Sequence, residues 1–181
     1  MSLLCQIKLD SLKKYVNQVK NKEGVVFELG VYKGGSALLI AQQLSGKEFH
    51  IFDTFSGMPE ATVHDNVHKK GDFHDTSVEL ITKLLKEYNV DIHVGFVPDT
   101  FSEVAHIEKI CFVHLDLDLY EGYRSSLAFV YPRMVTGGII LLDDYGADTC
   151  LGAKKATDEF FADKPEKPVY VVNTQWIIEK L

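Results

Sequence analysis

Seven short runs rich in β-branched and aromatic residues alternate with stretches of helical spacing, and this alternation most limits the folds open to the chain. Strand–helix–strand units build a mostly parallel sheet through right-handed crossovers, with helices on both faces. The last two runs are separated only by Asn173-Thr174, and two residues cannot make a parallel crossover. The sequence therefore predicts an α/β fold with a mostly parallel sheet and an antiparallel C-terminal hairpin. The predicted strands are Val25–Leu29, Phe49–Asp53, Asp91–Val94, Cys111–Leu117, Gly138–Leu142, Val169–Val172 and Gln175–Ile178.

Apolar residues at helical spacing predict the helices that connect these strands. A capping box, Thr76-x-x-Glu79, marks the start of one helix, and Thr100-x-x-Glu103 indicates a further short one. The apolar face of the first helix, within residues 1–24, is either core or a surface between subunits, so a homo-oligomer stays open. The predicted faces are Leu9, Leu12, Val16 and Val19; Val78, Ile81, Leu85 and Tyr88; and Tyr123, Leu127, Val130 and Met134, with a last helix at Gly152–Phe161.

Composition limits the classes of protein and partner. A chain of 181 residues predicts a single domain over residues 1–181. Its net charge of -7 argues against nucleic acid or an anionic membrane as the main partner. No apolar run is long enough for a signal segment or a membrane span. The three cysteines, Cys5, Cys111 and Cys150, fit neither a disulfide framework nor a thiolate zinc site, which predicts a reducing cytoplasm.

Acidic residues stand at the carboxyl ends of the predicted strands, where open parallel sheets bind ligands. A glycine-rich turn, GVYKGGS, follows the first strand, and its small residues let the backbone approach a ligand at a helix N-terminus. With Glu28 before this turn and Asp53 at the end of the second strand, the pattern favours an adenosyl-type cofactor. The other acids at strand ends are Asp116, Asp118, Asp143 and Asp144.

These four aspartates predict a metal site. Like charges crowded at the rim of a buried sheet repel one another unless a cation lies between them. Strand periodicity places Asp116 and Asp118 on the same side, and Mg²⁺ or Mn²⁺ prefers such carboxylate ligands. Two alternatives remain: ordinary solvated acids at strand ends, and a metal-dependent phosphoryl-transfer site. The second is disfavoured because Glu28 and a glycine turn stand where a nucleophilic aspartate is needed.

A polar stretch, residues 57–75, is the one long irregular segment, and loops of this length are usually lids or binding loops. It carries His64, His68 and His74, which are either solvated or able to supply a general base when the loop closes; we take His64 as the candidate. Two further histidines, His93 and His114, lie within strand patterns and are predicted to be core residues with satisfied partners.

Several motifs in this order and spacing resemble the macrocin O-methyltransferase family, enzymes that use S-adenosylmethionine and a metal to methylate sugar hydroxyls of natural products. The specific part is D-x-D-x-Y-E followed by GG-x5-DDYG, whereas the glycine turn is general among class I methyltransferases. The matching segments are ELGVYKGGSA, DTFSGMP, GDFHDTS, GFVPDTF, HLDLDLYEGYRSSLAFVYPRMVTGGIILLDDYG and GAKKATDEFF.

The resemblance implies a Rossmann-like class I methyltransferase fold and a set of site residues. It implies S-adenosylmethionine as cofactor, Mg²⁺ or Mn²⁺ as metal, and an enzyme that methylates a hydroxyl of a small molecule. Asp118 or Asp116 would act in catalysis beside the metal. The implied cofactor-binding residues are Glu28, Gly30, Gly34, Ser36, Asp53 and, with the turn Gly95-Phe96 nearby, Asp72; the implied metal ligands are Asp116, Asp143 and Asp144.

The chain departs from this family before its first strand. Enzymes of the family that act on antibiotics carry an N-terminal extension, whereas only residues 1–24 precede the first predicted strand here. This predicts an acceptor pocket that is more open or is completed by a partner subunit. A domain that binds the cofactor without catalysis, as a partner subunit, is the remaining alternative.

Overall fold

A seven-stranded sheet forms the centre of the computed structural model, which describes residues 3–44 and 46–181. The strand order is β3-β2-β1-β4-β5-β7-β6. The first five strands pair in parallel, while β7 runs antiparallel to both β5 and β6. The predicted parallel sheet and C-terminal hairpin are therefore confirmed. The strands are β1 Val25–Leu29, β2 Phe49–Asp53, β3 Val90–Val94, β4 Ile110–Leu115, β5 Met134–Leu142, β6 Val169–Val172 and β7 Gln175–Glu179.

Five α-helices cover both faces of this sheet. They are α1 Gln6–Val19, α2 Gly35–Gln43, α3 Val78–Leu85, α4 Tyr120–Val130 and α5 Leu151–Phe160, with 3₁₀ helices at Asp99–Val104 and Tyr131–Arg133. Strand residues alternate between two apolar layers because successive side chains point to opposite faces. One layer joins Phe27, Leu29 and the helices α4 and α5; the other joins Val26 and the helices α1, α2 and α3.

Successive strands are added to one side of β1 as far as β3 and to its other side from β4 onward. This change in strand order between β1 and β4 creates a crevice at their carboxyl ends. The strand β4 ends at Leu115, two residues earlier than predicted, so Asp116 and Asp118 lie on the connection to α4. Asp118 has a φ of 59°, a left-handed conformation that aspartate tolerates better than most residues. A turn, rather than strand periodicity, therefore places these two aspartates.

Other predicted boundaries shift as well, most of all at the junction of α4 and β5 and at the start of α3. The sequence predicts Met134 as the last residue of the apolar face of α4, but it is the first residue of β5, because the 3₁₀ turn at Tyr131–Arg133 ends the helix. The N-cap of α3 is Ser77, whose hydroxyl accepts a hydrogen bond from the backbone N–H of Leu80. The Thr76 hydroxyl instead donates to the carbonyl of Tyr32, so the predicted capping box is wrong by one residue.

The helix α1 packs its apolar face onto the sheet. Leu12, Val16 and Val19 are fully buried there. The apolar face that the sequence assigns either to the core or to a subunit interface is therefore part of the core. Lys8 lies one turn before Leu12 on the same side and reaches the end of β5. Within the described residues, no helix combines the length and hydropathy needed to cross a membrane.

Candidate active site

A cavity of about 490 Å³ opens at the carboxyl ends of the parallel strands, within the size range of small-molecule sites. Its walls include the turns after β1 and β3, the end of β2, the aspartates after β4 and β5, the loop 57–75, and Leu3, Leu4 and Lys8 near the N-terminus. Of the predicted site residues, those that line it are Gly30, Ser36, Asp53, Asp116, Asp118, Asp143 and Asp144.

Gly30 brings β1 and β4 together beneath this cavity. Its φ is 90°, and a Cβ atom at this position would lie 1.8 Å from the backbone oxygen of Asp116. No side chain fits at that distance, so only glycine allows the close approach. Gly34 has a different role, since a Cβ there would meet Ile81 and Leu84 of α3. The structure thus places Gly30 at the cavity and Gly34 in helix packing.

Asp53 holds the glycine turn in place. Its Oδ2 accepts hydrogen bonds from the backbone N–H groups of Val31 at 2.7 Å and Tyr32 at 2.8 Å. Its Oδ1 accepts from the N–H of Phe55 at 2.8 Å. Because a carboxylate offers about four acceptor positions, Asp53 can also accept from a ligand in the cavity that it lines.

Three aspartates at the ends of β4 and β5 form one cluster. Asp116, Asp118 and Asp144 each offer a carboxylate oxygen within 4.8 Å of the others. Burial, together with the negative charge of the neighbouring aspartates, raises the pKa of Asp116 and Asp118 well above the ordinary range. Burial and Asp143 also raise the pKa of Asp144 to about 6. A cation among them would favour their ionised forms.

Asp144 is fixed by contacts that orient the cluster. Its Oδ2 accepts hydrogen bonds from the backbone N–H of Asp118 and from the hydroxyl of Tyr123, both at 2.9 Å. The Tyr123 hydroxyl lies within hydrogen-bond distance of the carbonyl of Leu115 as well. Through Tyr123, the helix α4 therefore contacts both the end of β4 and Asp144, which follows β5.

Asp143 has different surroundings from the other three aspartates. The ammonium group of Lys8 pairs with its Oδ2, and Gln175 Nε2 donates to its Oδ1 at 2.8 Å. His114 Nε2 lies 3.6 Å from the same Oδ1. Although burial opposes ionisation, His114 and Lys8 lower the pKa of Asp143 to about 2. Asp143 is thus already neutralised by the protein's own cations.

His114 joins Asp143 to Glu28 inside the sheet. Its Nδ1 lies 2.9 Å from Glu28 Oε1, and both side chains are fully buried. Burial alone would lower the pKa of His114, but the neighbouring carboxylates of Asp143 and Glu28 raise it to about 9. His114 is buried, as predicted, and Glu28 partners its Nδ1, but its Nε2 has no hydrogen-bond partner among the described residues. Glu28 is absent from the described wall of the cavity. The other strand histidine, His93, lies between Glu103 and His50.

The loop 57–75 lies across the cavity and is fixed to both neighbouring helices. Asp65 Oδ1 accepts a hydrogen bond from the backbone N–H of Tyr120 at 2.8 Å, which caps α4. The side chain of Asn66 bonds the carbonyl of Asp148 and the N–H of Leu151. Residues of this loop, including Met58 and His68, form part of the cavity wall.

His68, rather than His64, is the loop histidine at the cavity. His68 Nε2 lies 3.6 Å from Asp118 Oδ1, whereas the ring of His64 packs on Tyr120 with the centroids 4.5 Å apart. His64 is outside the described wall of the cavity. Asp72 is also outside it; its Oδ2 accepts from the N–H of Lys69 and lies 3.8 Å from His68 Nδ1.

Comparisons with known proteins identify the family of the chain and its fold. Residues 1–175 match the family described as Macrocin-O-methyltransferase (TylF). The chain belongs to this family. It is 27% identical over 173 residues to a demethyldecarbamoylnovobiocin O-methyltransferase from Streptomyces niveus, covering 86% of this chain and 65% of the relative.

A second relative of this macrocin O-methyltransferase family member comes from Streptomyces olivaceus. It is an 8-demethyl-8-(2,3-dimethoxy-alpha-L-rhamnosyl)-tetracenomycin-C 4'-O-methyltransferase, 27% identical over 164 residues, which cover 81% of this chain and 63% of the relative. The chain therefore spans less than two thirds of the length of these curated relatives.

Solved structures show the same fold. The O-methyltransferase NovP superposes with a TM-score of 0.86 at 22% identity, covering 99% of this chain and 81% of NovP. An O-methyltransferase from Bacillus cereus, solved in complex with SAH, superposes with a TM-score of 0.69 at 15% identity, covering 98% of this chain and 81% of that structure. The predicted Rossmann-like class I methyltransferase fold is confirmed.

Among the residues that line this family member's cavity, the sequence does not single out Lys8 and Cys150, and of the loop histidines it selects His64 instead of His68. Lys8 continues the buried stripe of α1 toward Leu12, and a lysine on an apolar stripe is a detectable signal. His68 is one of three histidines in an aperiodic loop, where sequence pattern cannot choose among them. Cys150 gives no signal, since its contact with Asp118 Oδ1 at 3.2 Å depends on how the β5–α5 connection folds.

Proposed function

We propose that this chain is an S-adenosylmethionine-dependent O-methyltransferase that uses Mg²⁺ or Mn²⁺ and methylates a hydroxyl on the sugar of a natural product. The observation that carries the proposal is the single cavity shared by the glycine turn after β1 and the aspartates after β4 and β5. A donor site and a cation site in one cavity are what a metal-dependent methyl transfer needs. The names of the curated relatives favour a sugar-bearing natural product as acceptor.

The donor half of the cavity fits an adenosyl cofactor. The N-terminus of α2, where Ser36 is buried beside the turn that follows Gly30, offers backbone N–H groups that suit the carboxylate of the methionine moiety. Asp53 stands at the end of β2 and can accept hydrogen bonds from ribose hydroxyls. The sulfonium would lie toward the aspartates, whose negative charge favours a cationic donor.

The cation half fits a hard divalent ion. Asp116, Asp118 and Asp144 supply only carboxylate oxygens, which Mg²⁺ and Mn²⁺ prefer, and these oxygens converge within 4.8 Å. Asp143 directly precedes the ligand Asp144 and forms an ion pair with Lys8, so it lies next to the cation site without an unpaired charge. When bound, the metal would make a coordinated hydroxyl more acidic and hold it in place.

The chain's own residues position the reactants and accept the proton. Methyl transfer forms a bond from the acceptor oxygen to the methyl carbon and breaks the bond from that carbon to sulfur, so alignment supplies much of the rate. Asp118, at the mouth of the cavity, is our proposed acceptor of the hydroxyl proton. The loop that carries Asp65 and His68 forms part of the cavity wall, where we propose that it shields the reacting groups from solvent.

A methyl-transfer assay tests this function. Labelled S-adenosylmethionine is offered with Mg²⁺ and a panel of sugar-bearing natural products. We expect turnover that a chelator abolishes and that Asp116→Asn lowers by at least about 100-fold, since a cation ligand is lost. Asp163→Asn removes an exposed carboxylate outside the cavity and serves as the matched control.

Turnover that is unaffected by the chelator and by Asp116→Asn would contradict the metal assignment. Binding of S-adenosylhomocysteine without transfer to any acceptor would favour a partner subunit without catalysis. Phosphatase activity without the adenosyl donor would favour the phosphoryl-transfer alternative.

A further inference from the structure

A second group of possible metal ligands lies beside the aspartate cluster and differs from it in chemistry. Cys150, His68 and Asp118 each offer one ligand atom, and all three residues line the cavity. The thiol is buried at the start of α5, the imidazole comes from the loop 57–75, and the carboxylate comes from the turn after β4. Three separate segments thus meet at one point.

Two of the three distances among these atoms fall within the range of a tetrahedral metal site, and the third is about 0.1 Å shorter. The distance from Cys150 Sγ to Asp118 Oδ1 is 3.2 Å, and from Cys150 Sγ to His68 Nε2 it is 3.7 Å. The third distance, from His68 Nε2 to Asp118 Oδ1, is 3.6 Å. Ligands at ordinary zinc bond lengths are separated by about 3.3–3.8 Å along the edges of a tetrahedron.

The surroundings of His68 also resemble those of a metal-bound imidazole. Its second ring nitrogen, Nδ1, faces Asp72 Oδ2 at 3.8 Å. The Asp72 carboxylate is itself held by the backbone N–H of Lys69 at 2.9 Å. Metal-ligating histidines commonly direct their other nitrogen to a carboxylate, which fixes the ring orientation. This arrangement gives Asp72 a positioning role away from the cavity wall.

We infer that Cys150, His68 and Asp118 form a binding site for a transition-metal ion of the Zn²⁺ class, which differs in its ligand set from the hard-cation site and shares only Asp118 with it. A sulfur, a nitrogen and an oxygen ligand together select Zn²⁺ over Mg²⁺, which avoids sulfur. Because all three residues line the cavity, the fourth coordination position faces its interior. On binding, the Cys150 thiol releases its proton to solvent and the thiolate sulfur bonds the metal.

The inference does not depend on the proposed methyl transfer. Asp118 belongs to both ligand groups, so an ion bound here takes one carboxylate from the hard-cation cluster. The bound ion replaces the proton of the Cys150 thiol.

Titration of the reduced, metal-free chain with Co²⁺ tests the site. We expect one equivalent to produce the near-ultraviolet thiolate-to-Co²⁺ charge-transfer band and the visible bands of tetrahedral cobalt, both removed by added Zn²⁺. Cys150→Ser should abolish the charge-transfer band. His68→Asn should weaken binding at least tenfold, and Asp72→Asn about 10–100-fold through loss of ring orientation.

Matched variants separate this site from its neighbours. Cys5→Ser removes an exposed thiol, His64→Asn removes the loop histidine outside the cavity wall, and Asp116→Asn removes a ligand of the hard-cation cluster alone. All three should keep the band. Absence of the band in the unmodified chain, its persistence in Cys150→Ser, or its loss in Asp116→Asn would each overturn the inference. Calorimetry with S-adenosylhomocysteine on the same samples reports separately on the donor site.

Discussion

At the scale of the residue, Gly30 shows how one position governs the site. The end of β1 and the turn after β4 can approach only because no Cβ lies between them, and Gly30 also has a left-handed φ of 90°. Gly46 has a similar φ of 80°, but a Cβ atom there would meet no other atom of the described residues within 4 Å. Alanine substitutions at these two glycines therefore separate the effect of backbone strain from the effect of steric collision.

We expect Gly30→Ala to destabilise the fold by about 2 kcal/mol more than Gly46→Ala, because overpacking adds to the shared backbone strain. Gly30→Ala should also abolish binding of S-adenosylhomocysteine, since Asp116 must move. Urea unfolding of both variants measures the difference. Equal losses of stability would show that the contact with Asp116 relaxes without cost.

Glu166 provides a test of pH dependence away from the cavity. Burial opposes its ionisation, but hydrogen bonds from Lys180 and Tyr131 lower its pKa from 4.5 to about 2. A carboxyl whose pKa is lower in the folded state stabilises the fold when the pH is above its pKa in the unfolded state. That stability is lost as the pH falls from 4.5 toward 2. Glu166→Gln should flatten the fall of the unfolding free energy in this window, and an unchanged profile would contradict the ion pair.

At the scale of the element, the loop 57–75 depends on the helix it caps. Asp65 accepts a hydrogen bond from the Tyr120 N–H, and also from the N–H and hydroxyl of Thr62. The space that a Cβ would take at Gly152 is filled by this carboxylate, whose Oδ1 lies 1.9 Å from that point. The loop, α4 and α5 thus meet at one side chain.

We expect Asp65→Ala to cost about 1 kcal/mol through loss of the cap and to speed amide hydrogen exchange across residues 57–75. Asp65→Asn keeps an acceptor for Tyr120 and should lose less stability than Asp65→Ala. Urea unfolding and hydrogen exchange measure the two effects. Unchanged exchange in the loop would show that its order does not depend on Asp65.

The same elements show what the sequence predicts and where it stops. The bounds of β1 and β2 agree with the prediction because buried parallel strands are continuous apolar runs bounded by turns. The sequence pattern extends β4 into the following turn because the apolar Leu117 continues the run. It does not single out His68 and Cys150, because contacts between distant segments leave no periodic pattern. The aspartates can be predicted from their positions at strand ends, whereas the pairing of Asp143 with Lys8 depends on the packing of α1.

At the scale of the whole molecule, the order of the strands in the sheet brings acidic residues together at one end of the strands. Six of the 26 acidic residues lie at one edge of the sheet, at the carboxyl ends of four parallel strands: Glu28, Asp53, Asp116, Asp118, Asp143 and Asp144. Lys8 and His114 offset part of that charge, mainly at Asp143 and Glu28. The remaining negative charge faces the cavity and favours a dication and a cationic donor.

The central claim is that this cavity binds an adenosyl donor, and calorimetric titration with S-adenosylhomocysteine in the presence of Mg²⁺ tests it most directly. We predict saturable binding of one ligand per chain, tighter than millimolar, which corresponds to a binding free energy more favourable than about −4 kcal/mol. The absence of binding at millimolar ligand would contradict the claim.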